Sequence, residues 1–214
     1  MKQAETLTRS AFLLAFDPRK ERLVNRGSLG YLLRAAALAE LLLAGNLADE
    51  AGKARTLTAP SHARPGSLRA VIWKQIADSP PRSWRRWVGK DHTKAVGVVR
   101  DELVADRLIR VERHRVLLVF PVERILPRRA YMSRRLTEHV VRAVRGGQPV
   151  GRLDQDIRVL AALAVAADLR GMPAAREVHR HKERIEQLSA PVEPVATALR
   201  KSVQAAKSNY AASG

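Results

Sequence analysis

Gly30-Tyr-Leu-Leu-Arg-Ala-Ala-Ala-Leu-Ala-Glu-Leu-Leu-Leu-Ala-Gly-Asn-Leu47 is apolar on nearly every side of a helix, and Arg34 and Glu40 are its only charges. A helix of that kind belongs in a protein interior. A lone charge there is costly unless it is paired or reaches water, which puts Arg34 at an edge of the core, facing solvent or an anion. The alternative is a structural pairing of Arg34 with Glu40, Asp154 or Asp156. A bilayer span needs about 20 uninterrupted apolar residues, and Gly45-Asn46 closes this run too soon. It reads as a core helix.

Working outward, 214 residues can bury a sizeable core, and they fit one domain over residues 1–206 with a frayed tail over 207–214. Thirty-nine Lys and Arg against twenty-one Asp and Glu leave a formal charge of +18, which attracts nucleic acid or anionic lipid surfaces. There is no cysteine, so disulfides, thiolate chemistry and Cys-based zinc sites are excluded. No apolar signal core precedes Phe12, which points to a cytoplasmic protein, with peripheral attachment to a membrane's inner face still open.

The pattern predicts a mainly α fold: a single-domain helical bundle around two apolar core helices, with one or two β-hairpins. The core helices are Ser28 to Ala44, capped by Ser28, and Asp154 to Leu169, in which Arg158 is the one interior cation. Around them are expected a helix from Arg9 to Phe16 capped by Thr8, and a hairpin or loop over Ala48 to Pro65. A helix then runs from Leu68 to Ile76, followed by a short amphipathic one at Trp84 to Val88. Asp91 to Arg107 should be helical, with Val96, Val99, Leu103 and Val104 on its buried face. Leu108 to Pro121 then alternates as a hairpin with His114 near its turn. Ser133 can cap a helix to Arg145, and helices over Ala174 to Leu188 and Val195 to Ala206 complete the chain.

Catalytic patterns are missing. There is no nucleophile elbow, Walker loop or dinucleotide fingerprint, and Arg26-Gly-Ser-Leu-Gly30 has too few glycines. His179 and His181 fall on different sides of a helix, and Glu177 and Glu183 do not complete a metal set. His62, His92, His114 and His139 are isolated, while Asp154, Asp156 and Asp168 cap or flank a helix. No enzyme activity, cofactor or metal is expected.

Four segments in order carry a resemblance. The opening helix is similar to the first core helix of the Golgi phosphoprotein 3 family. Leu103-Val-Ala-Asp-Arg-Leu-Ile109 with Leu118-Val-Phe120 resembles that family's helix and hairpin. Asp154 to Asp168 resembles its central helix, and Arg176 to Leu188 its Arg-rich closing helix. The likeness spans roughly residues 7 to 205. It implies a mostly helical peripheral membrane protein, which in eukaryotic members recognises phosphatidylinositol 4-phosphate and links it to protein cargo. The family holds the head group with a tryptophan and three arginines. Arg34 falls at the core-helix arginine and Asn25 at the tryptophan, while Thr93 and Val96 fall at the other two arginines in ungapped register. A shift of about one helical turn offers Arg100 instead, with Lys90 and Lys94 as basic neighbours.

The charge is concentrated too: residues 82–135 hold fifteen Lys or Arg and six Asp or Glu, half the chain's net charge. The expected head-group or anion ligands are thus Arg34, Lys90, Lys94 and Arg100, and the expected basic membrane face is Arg85, Arg86, Arg110, Arg113 and Arg115. Trp84 and Trp87 either dip into a headgroup region or pack in the core. Three functional readings follow. One is a peripheral adaptor binding an anionic membrane or phosphorylated lipid head group. The second is a protein adaptor without lipid, and the third is nucleic-acid binding through the basic helix and hairpin.

Overall fold

Thr6, not Thr8, starts the first helix: its Oγ1 accepts the Arg9 amide, and α1 runs Leu7–Leu14. Thr8 is diverted inward, where its amide (2.7 Å) and hydroxyl (2.9 Å) both donate to Glu40. The structure is a computed structural model that describes residues 6–17, 21–61, 63–116, 120–128 and 130–212, without the side chains of Arg26, 113–116, 120–124 and Ala130. His62, Leu118 and the side chains of Arg113, His114 and Arg115 lie outside the described residues.

A short antiparallel pair, β1 (Phe16–Asp17) with β2 (Arg22–Leu23), leads into α2 (Arg26–Leu43). Its N-cap is Asn25, in the left-handed region at φ 54, and not Ser28, because Asn tolerates that conformation and bonds across the fold. The Asn25 amide donates to the Asp168 carbonyl (3.1 Å), and its oxygen accepts the Arg170 amide (3.0 Å). Gly45, at φ 69, closes the helix in a Schellman turn, its own amide donating to Leu42 and that of Asn46 to Leu41. The hairpin of β3 (Leu47–Glu50) and β4 (Lys53–Thr56) follows, then α3 (Leu68–Ala77), capped by Ser67. Next, β5 (Arg82–Ser83) joins β4, and α4 (Trp84–Gly89) turns into α5 (His92–Ala105).

The buried stripe of α5 is Ala95, Val99 and Leu103, so the helix is rotated from the expected face and leaves Val104 exposed. The long antiparallel arm, β6 (Ile109–Val116) with β7 (Phe120–Pro127), pairs Ile109 with Pro127 and Val116 with Phe120. The hairpin expected over Leu108 to Pro121 runs on to Pro127, and His114 lies in β6 close to its turn end. In α6 (Ala130–Arg145), Ser133 lies inside the helix; its hydroxyl donates to the carbonyls of Leu13 (2.6 Å) and Phe16 (3.1 Å), tying α6 to the end of α1. Asp154 caps α7 (Gln155–Ala166) as expected. The predicted helix over Ala174 to Leu188 breaks at His181 into α8 (Ala175–Arg180) and α9 (Lys182–Ser189). A one-turn 3₁₀ segment (Ala190–Val192) then leads to α10 (Glu193–Ala212), which is helical past Lys207.

The fold is thus mainly α with small antiparallel sheets, and α2 is its axis. Leu29, Leu32, Leu33, Leu38 and Leu41 are fully buried because α1, α3, α4, α5, α7 and α10 surround the helix. The same core cluster includes the apolar run Val159 to Ala164 of α7. No helix among the described residues is long and apolar enough to cross a membrane.

Candidate anion-binding site

The sequence Ser83-Trp-Arg-Arg-Trp-Val-Gly89 divides a short helix into two faces. Trp84, Trp87 and Val88 are buried, which fixes Arg85 and Arg86 on the outside. The tryptophans are core anchors at 3% and 1% exposure and do not reach a headgroup region. The Trp84 indole nitrogen donates to Asp49, joining α4 to β3. Lys90 then leaves the helix in an extended conformation, Asp91 takes the left-handed region at φ 48, and α5 begins.

This corner frames an open cleft of about 710 Å³ lined by Ser83, Arg85, Arg86, Gly89, Lys90 and Asp91. The Lys90 ammonium stands 5.3 Å over the Trp87 ring, and Lys94 pairs with Asp91 at 3.2 Å. The Asp91 side chain makes no cap bond to α5. The Lys94 hydrogen bond, with the charges of Lys94, Arg34 and Lys90, holds the Asp91 carboxyl below the usual carboxylate range. Three cations and one carboxylate line or reach the cleft from α4 and its corner, and Lys94 adds a fourth cation.

Arg34 sits behind this surface. It is 1% exposed, which corrects the expectation of a solvent-facing edge. Its Nε donates to the Trp87 carbonyl (2.7 Å) and its Nη2 to Gln75 Oε1 (3.0 Å), and the Gln75 amide donates on to Asp91 Oδ2 (3.3 Å). Desolvation by burial lowers its pKa to about 10, against the pull of Asp91, so it stays a cation at neutral pH. None of the expected acidic partners holds it. Glu40 bonds Thr8 and lies 3.7 Å from Arg69, and Asp154 caps α7.

The corner is also fixed to α2. Gly30 packs so closely on α5 that a Cβ there would stand 2.0 Å from the His92 carbonyl oxygen. Tyr31 stacks on the His92 ring with centroids 3.8 Å apart, and His92 Nδ1 lies 3.0 Å from the Gly89 carbonyl.

Of the sequence-expected ligands, Lys90, Lys94, Arg85 and Arg86 gather here, with Arg34 beneath. Arg100 does not line the cleft; it lies further along α5, with its Nε on Asp101 at 3.0 Å. Arg110 is exposed at the base of the arm, 3.9 Å from Glu112, while the backbones of Arg113 and Arg115 pair with Glu123 and Pro121. At the other family positions, Asn25 caps α2, Thr93 is exposed and Val96 half-buried. Sequence reasoning missed Gln75 and the inward partners of two acids, Glu102 in α5, which accepts the Leu68 amide, and its C-cap Asp106, which is shared by Arg9 and Arg64. Among the described residues no three His, Asp or Glu side chains form a metal-binding group. A family model described as Golgi phosphoprotein 3 (GPP34) matches residues 7–206. No curated protein matches the chain.

Proposed function

The chain belongs to the Golgi phosphoprotein 3 family, and from that premise we propose that it is a non-enzymatic peripheral adaptor. In this reading it binds anionic, phosphate-bearing lipid head groups at the α4–α5 corner, on the cytoplasmic face of a membrane, and holds protein partners there. The observation that carries the reading is the convergence of Arg85, Arg86 and Lys90 on one open cleft, with Lys94 beside it. A phosphomonoester offers several acceptor oxygens, which Arg meets with paired donors and Lys with a point charge. Arg34 acts from below: it pins the Trp87 carbonyl and, through Gln75, orients Asp91. The exposed Arg110 extends the basic surface onto the arm, whose strands pair out to Val116 and Phe120.

Nucleic-acid binding through α5 is disfavoured, because that helix packs against α2 and α3, and its Glu102 and its C-cap Asp106 are engaged within the fold. Sedimentation with vesicles decides between the readings. Binding to phosphatidylserine vesicles should exceed binding to phosphatidylcholine vesicles and fall steeply with salt, since each nearby cation contributes about 1 kcal/mol at an anionic surface. Equal pelleting with both would remove the membrane reading. Loss of vesicle binding to a stoichiometric amount of duplex DNA would favour the rival.

A further inference from the structure

A second concavity of about 610 Å³ shares no residue with the basic cleft. The 3₁₀ turn at Ala190–Val192 joins α9 to α10, and these two helices leave it as opposing walls. The last turns of α7 supply the floor. Ala162, Val165, Ala166, Met172, Ile185 and Val203 are part of its apolar lining, and several of these are only partly covered. On α10 the lining residues Glu193, Thr197, Arg200, Gln204 and Lys207 recur every three to four positions, so one face of that helix runs along the groove for about 21 Å.

The rim is mixed in charge. Glu186 and Glu193 stand near the 3₁₀ turn, Arg200 midway along the lining face of α10, and His179, Lys182, Asp168 and Lys207 toward the other end. Lys207 is paired with Asp168 and Lys182 lies 3.8 Å from Glu186. Arg200 meets only the Thr197 hydroxyl (3.3 Å) and has no ion pair among the described residues. The volume falls in the range of small-molecule sites. The groove's floor is apolar while Arg200 stands at the rim, which suits a ligand with an apolar body and an anionic group.

We propose that this groove binds a single-chain amphiphile with an anionic head, a long-chain carboxylate being the simplest. Its chain lies along the floor of α7 and its head is turned toward Arg200. The small side chains of Ala162 and Ala166 leave the room, Val165, Met172 and Ile185 supply the contact, and the Arg200 guanidinium, which has no ion pair among the described residues, draws the head. The site is independent of the basic cleft, so either proposal can fail without the other.

Titration with the fluorescent carboxylate cis-parinaric acid tests it. Saturable one-site binding is expected, with dodecanoate displacing the probe about fifteenfold better than decanoate, since each of the two extra methylenes removed from water adds roughly fourfold. Ala166→Phe and Thr197→Trp fill the groove from different helices, and each should weaken the probe by about tenfold or more while the helical circular dichroism is kept. Arg200→Glu should weaken the carboxylate but leave displacement by dodecanol unchanged. Absence of saturable binding overturns the proposal. So does binding that survives both filling variants, or an Arg200→Glu effect shared equally by acid and alcohol.

Discussion

Replacing Arg34 with alanine should destabilise the fold before it affects any ligand. The change leaves two acceptors, the Trp87 carbonyl and Gln75 Oε1, without their donor. An unsatisfied buried acceptor costs about 1–3 kcal/mol. The loss of a fully buried aliphatic stem adds about 2 kcal/mol or more of packing. Against this, the variant is relieved of desolvating a guanidinium, a cost of about 3 kcal/mol on the scale of a pKa lowered to about 10. The balance is a loss of roughly 1–5 kcal/mol. Urea denaturation reads it directly. Arg34→Lys, which keeps the charge and the stem but not the planar fork, should lose less. Sulfate or vesicle binding is then measured where the variant remains folded; displacement of the α4–α5 corner and loss of the buried charge's field should together weaken it by less than about tenfold. The reasoning would be refuted by a variant within about 0.5 kcal/mol of the parent that nonetheless binds anions at least about tenfold more weakly. That result would mean the guanidinium touches the anion itself.

Burial keeps the Glu40 carboxyl above its ordinary value of 4.5 despite its bonds from Thr8. A carboxyl that binds its proton more tightly when folded adds stability as pH falls through the window above the ordinary value. The parent should therefore gain on Glu40→Gln in urea midpoint between about pH 7 and about pH 5, and parallel pH profiles would contradict this. Gly30→Ala should cost about 1–3 kcal/mol, despite alanine's better helix propensity, because its Cβ would collide with the His92 carbonyl. Gly97→Ala, with nothing within 4 Å of its Cβ, should stabilise by up to about 1 kcal/mol, so opposite shifts in melting temperature are expected. Asp91→Asn removes the one carboxylate lining the cleft while keeping a side chain that tolerates φ 48; it should strengthen anionic-vesicle binding severalfold at low salt, and unchanged binding would show that the anion does not enter this corner.

Periodicity located the helices because burial here is a property of whole faces, and the run from Leu29 to Leu41 could be stable only at the centre of the molecule. The ends were less legible, since a cap is a competition among nearby polar groups for partners that the sequence does not show. Thr8, Ser28 and Ser133 are all chemically adequate caps. Two of them are held by partners distant in sequence: Thr8 meets Glu40, and Ser133 meets the carbonyls of Leu13 and Phe16. In Asn25, the favourable residue for a left-handed backbone outweighs Ser28, and its side chain finds Asp168 and Arg170 across the fold.

The same distinction governs the candidate site. Lys90, Lys94, Arg85 and Arg86 were visible because they crowd a short stretch, and a helix whose other face carries Trp84 and Trp87 has only one way to point them. Arg34 was visible as an anomaly, a cation in an apolar helix, but its partner was sought among carboxylates when a buried guanidinium can equally be held by neutral acceptors. A main-chain carbonyl near the end of α4 and a glutamine on α3 are such acceptors, and neither has any charge signature in sequence. The choice has a physical consequence. A carboxylate partner would have cancelled the charge of Arg34, whereas the Trp87 carbonyl and Gln75 leave it to act on its surroundings. It does so already, as one of the three cations that hold the Asp91 carboxyl below its ordinary range. The field that stabilises this carboxylate would also stabilise an anion arriving beside it, so Arg34 can favour anion binding without contacting the ligand.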